Sequence, residues 1–79
     1  MYLTSNQIRI VRKLHGLSQR ELARLINVDS GLISKVEADK ASVSTNLNKR
    51  LIDALEITEE KLALAIEVSE RFKVRTPIA

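Results

Sequence analysis

One stretch of this sequence presents small hydrogen-bonding groups and a cation on a single helical face: Ser30, Gly31, Ser34 and Lys35. Helical spacing turns Ile33 and Val36 inward and leaves those four outward, with Leu32 beside them. None of the four is bulky, so the face can enter a DNA major groove. Lys35 can donate to guanine acceptors, the serines can donate or accept, and Leu32 can touch a thymine methyl. The absent side chain of Gly31 lets the backbone come close, while weakening the helix by about 1 kcal/mol relative to alanine. A plain solvated helix face carries the same residue types. The pattern therefore gains weight only from the elements that position it.

The rest of the chain offers little reactive chemistry. It has one histidine, no cysteine and no pair of carboxylates fixed by a motif. His15 lies at a helix end beside Gly16, where a capping role suits it better than catalysis. Phosphate-loop, dinucleotide and metal motifs are absent, so no enzyme, metal or cofactor is expected. Without cysteine, disulfide staples and thiolate metal sites are excluded. Tyr2, Phe72 and His15 are too few rings for a single-strand stacking platform. The net charge of +3 is unevenly spread. Through Arg24 the bases Arg9, Arg12, Lys13, Arg20 and Arg24 face one acid, Glu21, whereas from Glu56 to Glu70 acids prevail over Lys61 alone. Such asymmetry suits one face toward nucleic acid and another turned elsewhere.

A chain of 79 residues is one domain near the lower size limit for a self-sufficient core. Dimerisation is a common way to thicken such a core. The longest apolar run, Leu62 to Ile66, is far short of a membrane span, and the start lacks a secretory pattern. A cytoplasmic protein with no membrane partner is expected.

Helical periodicity dominates and no stretch alternates like a strand, so the fold class is all-α with five short helices. The first runs from about Ser5 to His15, with Ile8, Val11 and Leu14 on its inward stripe, and stops at Gly16. Ser18 and Glu21 form a capping box for the second, which carries Leu22, Ala23 and Ile26 inward and halts near Asn27. Asp29 or Ser30 caps the third, which ends around Ala38 and Asp39. Ser44 caps the fourth, with Leu47, Leu51, Ala54 and Leu55 on one face, and Thr58 caps the fifth. Residues 1–72 form the domain, 58–72 its C-terminal helix, and 73–79 a flexible tail around Pro77. Helices two and three meet across a short turn, which forces a steep crossing.

The stretch Leu17-Ser18-Gln19-Arg20-Glu21-Leu22-Ala23, then Asn27-Val28, then Leu32-Ile33-Ser34-Lys35-Val36-Glu37, resembles the Cro/phage-repressor type of helix-turn-helix, the XRE family. Ile8, Val11, Arg12, Gly16 and Leu17 fall where that family has its first helix and its stop. The resemblance covers about Ile8 to Thr58. It implies a five-helix, lambda-repressor-like DNA-binding domain that binds a palindromic operator in double-stranded DNA as a homodimer. By position it implies base contacts from Ser30, Gly31, Ser34 and Lys35. It implies phosphate contacts from Gln19, Lys40, Ser42 and the Ser44 to Asn46 helix start, that is Ser44 and Asn46. It further implies an ion pair between Arg12 and Glu37, which we read as structural.

Several positions depart from the family pattern. Asn27, Asp39 and Glu56 stand where glycine is usual, and Asn and Asp tolerate left-handed geometry while Glu does so poorly. Thr45 and Asn48 stand where apolar residues are usual, which leaves the packing of helix four open. Ile10 and Leu25 replace polar residues and read as exposed apolars or as a second contact surface.

Helix five has more apolar surface than one thin core can cover. Leu62 and Ile66 are expected toward the home core, and Leu64, Val68 and Phe72 across a two-fold axis. The expected function is a dimeric repressor of phage, plasmid or restriction-modification-controller type. The alternatives are an antitoxin whose fifth helix binds a toxin, another protein partner such as an antirepressor, or an interaction module that has lost DNA binding.

Overall fold

The computed structural model describes residues 1–72; the expected tail at 73–79 lies outside the described residues. Five helices follow in order: α1 (Ser5–Leu14), α2 (Gln19–Leu25), α3 (Ser30–Glu37), α4 (Thr45–Leu55) and α5 (Glu59–Arg71). No strand occurs among the described residues. Each helix starts on a side-chain cap. The oxygens of Thr4, Ser18, Asp29, Ser44 and Thr58 accept from first-turn amides that have no helical carbonyl to reach. Ser18 and Glu21 close the expected box, and the Ser18 amide holds the Glu21 carboxyl below its ordinary value. Thr4 and Gln7 close a second box on α1 that the sequence pattern had not suggested. Leu3 before that cap and Ile8 in the first turn of α1 are both in the core, as in a hydrophobic staple.

The ends of the first four helices share one device. Gly16, Asn27, Asp39 and Glu56 all have left-handed backbone, with φ of 70°, 58°, 61° and 50°. In each case the next amide reaches back five residues: Leu17 to Arg12, Val28 to Ala23, Lys40 to Lys35 and Ile57 to Ile52. These bonds satisfy carbonyls stranded at the helix ends. Leu17, Val28 and Ile57 then turn onto the core. Glu56 thus follows the same path as the others, and α4 runs into α5 by an ordinary reversal. A glutamate there carries backbone strain on the order of 1 kcal/mol or more. Glu56→Gly is expected to raise stability by about 1 kcal/mol, partly offset by the freer unfolded chain. Thermal unfolding checks this, with an expected rise smaller than the ~4–8 °C that a full 1 kcal/mol would give.

The core gathers residues from all five helices, centred on Ile8, Leu22, Ile33, Val36 and Leu51. Two apolar positions differ from the sequence expectation. Leu14 is 51% exposed, because it lies about 120° round α1 from Ile8 at 100° per residue. The buried arc of α1 is instead completed by Arg12. Ala54 is exposed, because the inward face of α4 is rotated toward Asn48 and Ile52. Asn48 is buried, and both polar atoms of its side chain have partners: Oδ1 accepts from the Leu3 amide at 2.9 Å and Nδ2 donates to the Met1 carbonyl at 2.9 Å. A polar residue at an apolar position is thereby satisfied by the N-terminal segment.

Candidate nucleic-acid interface

Helices α2 and α3 pack directly on each other across the turn at residues 26–29. Ala23 is buried and has only a methyl group, which lets the helices approach closely. Val28 fills the angle from the turn, and Ile33 closes it from α3. Arg50 braces the turn from α4. Its Nη1 donates to the Ile26 carbonyl at 3.1 Å and to the Asn27 carbonyl at 3.4 Å. Nothing in the local sequence around Arg50 signals this bond, since its partners lie more than twenty residues away.

The far end of α3 is held by a buried ion pair. Arg12 and Glu37 are 9% and 8% exposed and meet in two parallel bonds, Nε to Oε2 at 2.7 Å and Nη2 to Oε1 at 2.9 Å. The third guanidinium nitrogen donates to the Leu17 carbonyl at 2.8 Å. Gln19, at the start of α2, adds a bond from Nε2 to Glu37 Oε1 at 3.2 Å. One carboxylate therefore joins α1, α2 and α3. Burial alone would raise the Glu37 carboxyl. The bonds from Arg12 and Gln19 and the charges of Arg12 and Arg9 outweigh it, and the group sits below its ordinary value. The bond to Glu37 likewise raises Arg12 against the opposing effect of burial.

On this frame Ser34 and Lys35 are exposed, and Ser30 and Gly31 are half-buried at the start of α3. Leu32 is half-buried against the core, so part of its side chain serves packing. Gly31 has a structural reason beside its open surface. Its amide donates to the capping Asp29 Oδ2 at 3.0 Å, and a Cβ there would fall 2.7 Å from that same oxygen. A side chain at Gly31 requires the Asp29 carboxylate to shift.

Lys40, Ser42, Ser44 and Asn46 are placed on the α3–α4 connection and the first turn of α4, and all four are exposed. The Ser44 hydroxyl accepts from the Leu47 amide at 3.0 Å, which leaves the Thr45 and Asn46 amides as the open donors of that turn. Gln19 differs from these, because one amide hydrogen is engaged with Glu37. The structure adds two residues absent from the sequence-derived site. Arg20 and Arg24 line a shallow depression with Asn27, Asp29 and Ser30, bringing two guanidinium side chains beside the start of α3. Their signal in the sequence was the basic surplus of the front half and the i, i+4 spacing on one helix.

A family model described as helix-turn-helix matches residues 8–62. The chain belongs to the Cro/C1-type helix-turn-helix family. No curated protein matches it. The match spans α1 through the start of α5, including the α2–α3 helix-turn-helix, the Arg12–Glu37 pair and the loop to α4. The Cro/C1-type domain makes this protein a DNA-binding helix-turn-helix regulator, in a family of regulators rather than enzymes. No helix among the described residues is long and apolar enough to cross a membrane.

Proposed function

We propose that this protein is a dimeric, sequence-specific repressor that reads the major groove with α3. The observation that carries the reading is the exposed Ser34 and Lys35 on a helix whose two ends are anchored, by the Asp29 cap and by the Arg12–Glu37 pair. Ser30 and Gly31 approach base edges in the same reading, and Lys35 donates to guanine. Lys40, Ser42, Ser44 and Asn46 hold phosphates, with the α4 dipole and its open amides helping. Arg20 and Arg24 add further phosphate contacts beside Ser30. Gln19 spans both roles: its engaged hydrogen fixes the side chain, and its remaining amide atoms reach a phosphate or a base edge.

Dimerisation through α5 is supported by the surface that α5 leaves open. Leu64 and Phe72 are 59% and 81% exposed, while Leu62 is buried in the home core. Val68 and Phe72 line an open groove against Ile10 and Leu14 of α1. A second copy covering this face would bury Leu14 and Leu64, which one domain leaves in water, and the gain grows with apolar area removed.

Selection of bound duplexes from a random pool, followed by salt titration, tests the reading. The expected outcome is a palindrome with half-site centres about 34 Å apart, one helical turn. Unselective binding with a steep salt dependence would reduce the protein to a backbone binder.

A further inference from the structure

The α3–α4 connection, which carries Lys40 and Ser42, is tied down by residues far away in sequence. The Tyr2 hydroxyl donates to the Val43 carbonyl at 2.6 Å. Five residues beyond Val43, Asn48 holds the Leu3 amide and the Met1 carbonyl, and Leu3 itself is buried in the core. Residues 1–3 therefore grip the connection near its end and again in the first turn of α4. Within the connection the remaining bonds are local, such as the Lys40 amide to the Lys35 carbonyl. Ala41 and Val43 add partial packing on the core. Among the described residues, Tyr2 is the only side chain outside the connection and α4 that bonds to it.

We infer that residues 1–3 are a strap that sets the position of the α3–α4 connection, with Tyr2 as a positioning residue for the phosphate grip. The inference rests on the DNA-binding reading and extends it to a segment outside the family match. A short connection with few buried contacts and few bonds opens at low cost. Phosphate contacts made from it depend on its being already in place, since ordering it on binding would subtract from affinity. The strap acts on backbone grip and leaves α3, which reads bases, untouched.

The test is Tyr2→Phe in the full chain, which removes one hydroxyl from a half-exposed ring and keeps the ring itself. Binding is measured on the selected duplex and on its single-base variants across a salt series. Affinity is expected to fall about fivefold, the scale of one net hydrogen bond. The loss should be equal for every duplex, and the salt slope should shrink by about one. Exchange of the Leu3 and Lys40 amides, which donate to Asn48 Oδ1 and to the Lys35 carbonyl, should accelerate in the free protein. Unchanged affinity and slope, or a loss confined to particular bases, overturns the inference. A wild-type chain that binds no duplex overturns the DNA reading instead. Amide exchange then decides the strap alone, and unchanged rates at Leu3 and Lys40 would dismiss it.

Discussion

Ser34→Glu combined with Lys35→Glu is expected to lower affinity for the selected duplex by about a hundredfold or more. The two changes remove the proposed donor to guanine, worth about 1–3 kcal/mol where such a contact is bidentate. They also shift the reading face by two charge units at Lys35 and one at Ser34, toward the sign of the phosphates. Both side chains are exposed, and neither takes part in a cap or in the core. Glutamate is also a better helix former than serine. The fold should therefore survive, and circular dichroism and thermal unfolding should match the wild type. A gel-shift series at fixed salt checks the binding. A double variant that still binds the operator normally would show that α3 is not the reading helix. Lys40→Ala offers a contrast, because removing a phosphate partner should weaken all duplexes alike.

The second large effect concerns the Arg12–Glu37 pair. Glu37→Leu leaves a buried guanidinium without its carboxylate, and Arg12→Met leaves a buried carboxylate without its cation. Each single change is expected to cost about 3–5 kcal/mol, because desolvation of the remaining charge is no longer offset. A domain this small has total stability of only about 5–15 kcal/mol, at the low end for its length. Either variant should unfold at much lower urea, and DNA binding should fall with it, since α1, α2 and α3 lose a shared anchor. The double variant Arg12→Met/Glu37→Leu should recover most of the loss, as apolar replacements of buried pairs often do. A double-mutant cycle in urea measures this directly. If the single changes cost no more than a surface pair, the pair is not structural.

The same pair predicts a pH dependence. Glu37 has a lower pKa in the folded protein than in the unfolded chain. Its contribution is therefore complete above the unfolded value of about 4.3 and is lost as the pH falls through the lower folded value. Wild-type stability should drop in that acid window. In the Arg12→Met/Glu37→Leu variant this component of the drop should be missing.

Much of the fold was legible because its signals are local. A hydroxyl or carboxylate before a helical apolar stripe marks a start, and the caps of α2 to α5 follow that rule. Asn27 and Asp39 were legible as left-handed stops, because their short polar side chains tolerate that geometry. Glu56 was not, since its backbone is fixed by Ile57 entering the core and by the return bond to Ile52, not by its own preference. Leu14 and Ala54 misled because a spacing of three or four residues defines an arc, whereas burial depends on which part of it meets a neighbour. Arg20 and Arg24 were visible as charge but not as a pair of groups beside Ser30.

By itself the sequence determined five helices, the caps of the last four, the short turn between the second and third, and the small outward groups Ser30, Gly31, Ser34 and Lys35. Those features depend on neighbours within four or five residues, where backbone geometry and side-chain reach are the deciding physics. Tertiary structure alone decided what holds the α2–α3 pair and the connection after it in place: Arg50 on the turn, Gln19 on Glu37, and Tyr2 and Asn48 on the far connection. Each of these bonds joins groups 18 to 47 residues apart. A donor that finds its acceptor across such a separation is specified by the packed core between them, and no local pattern records it.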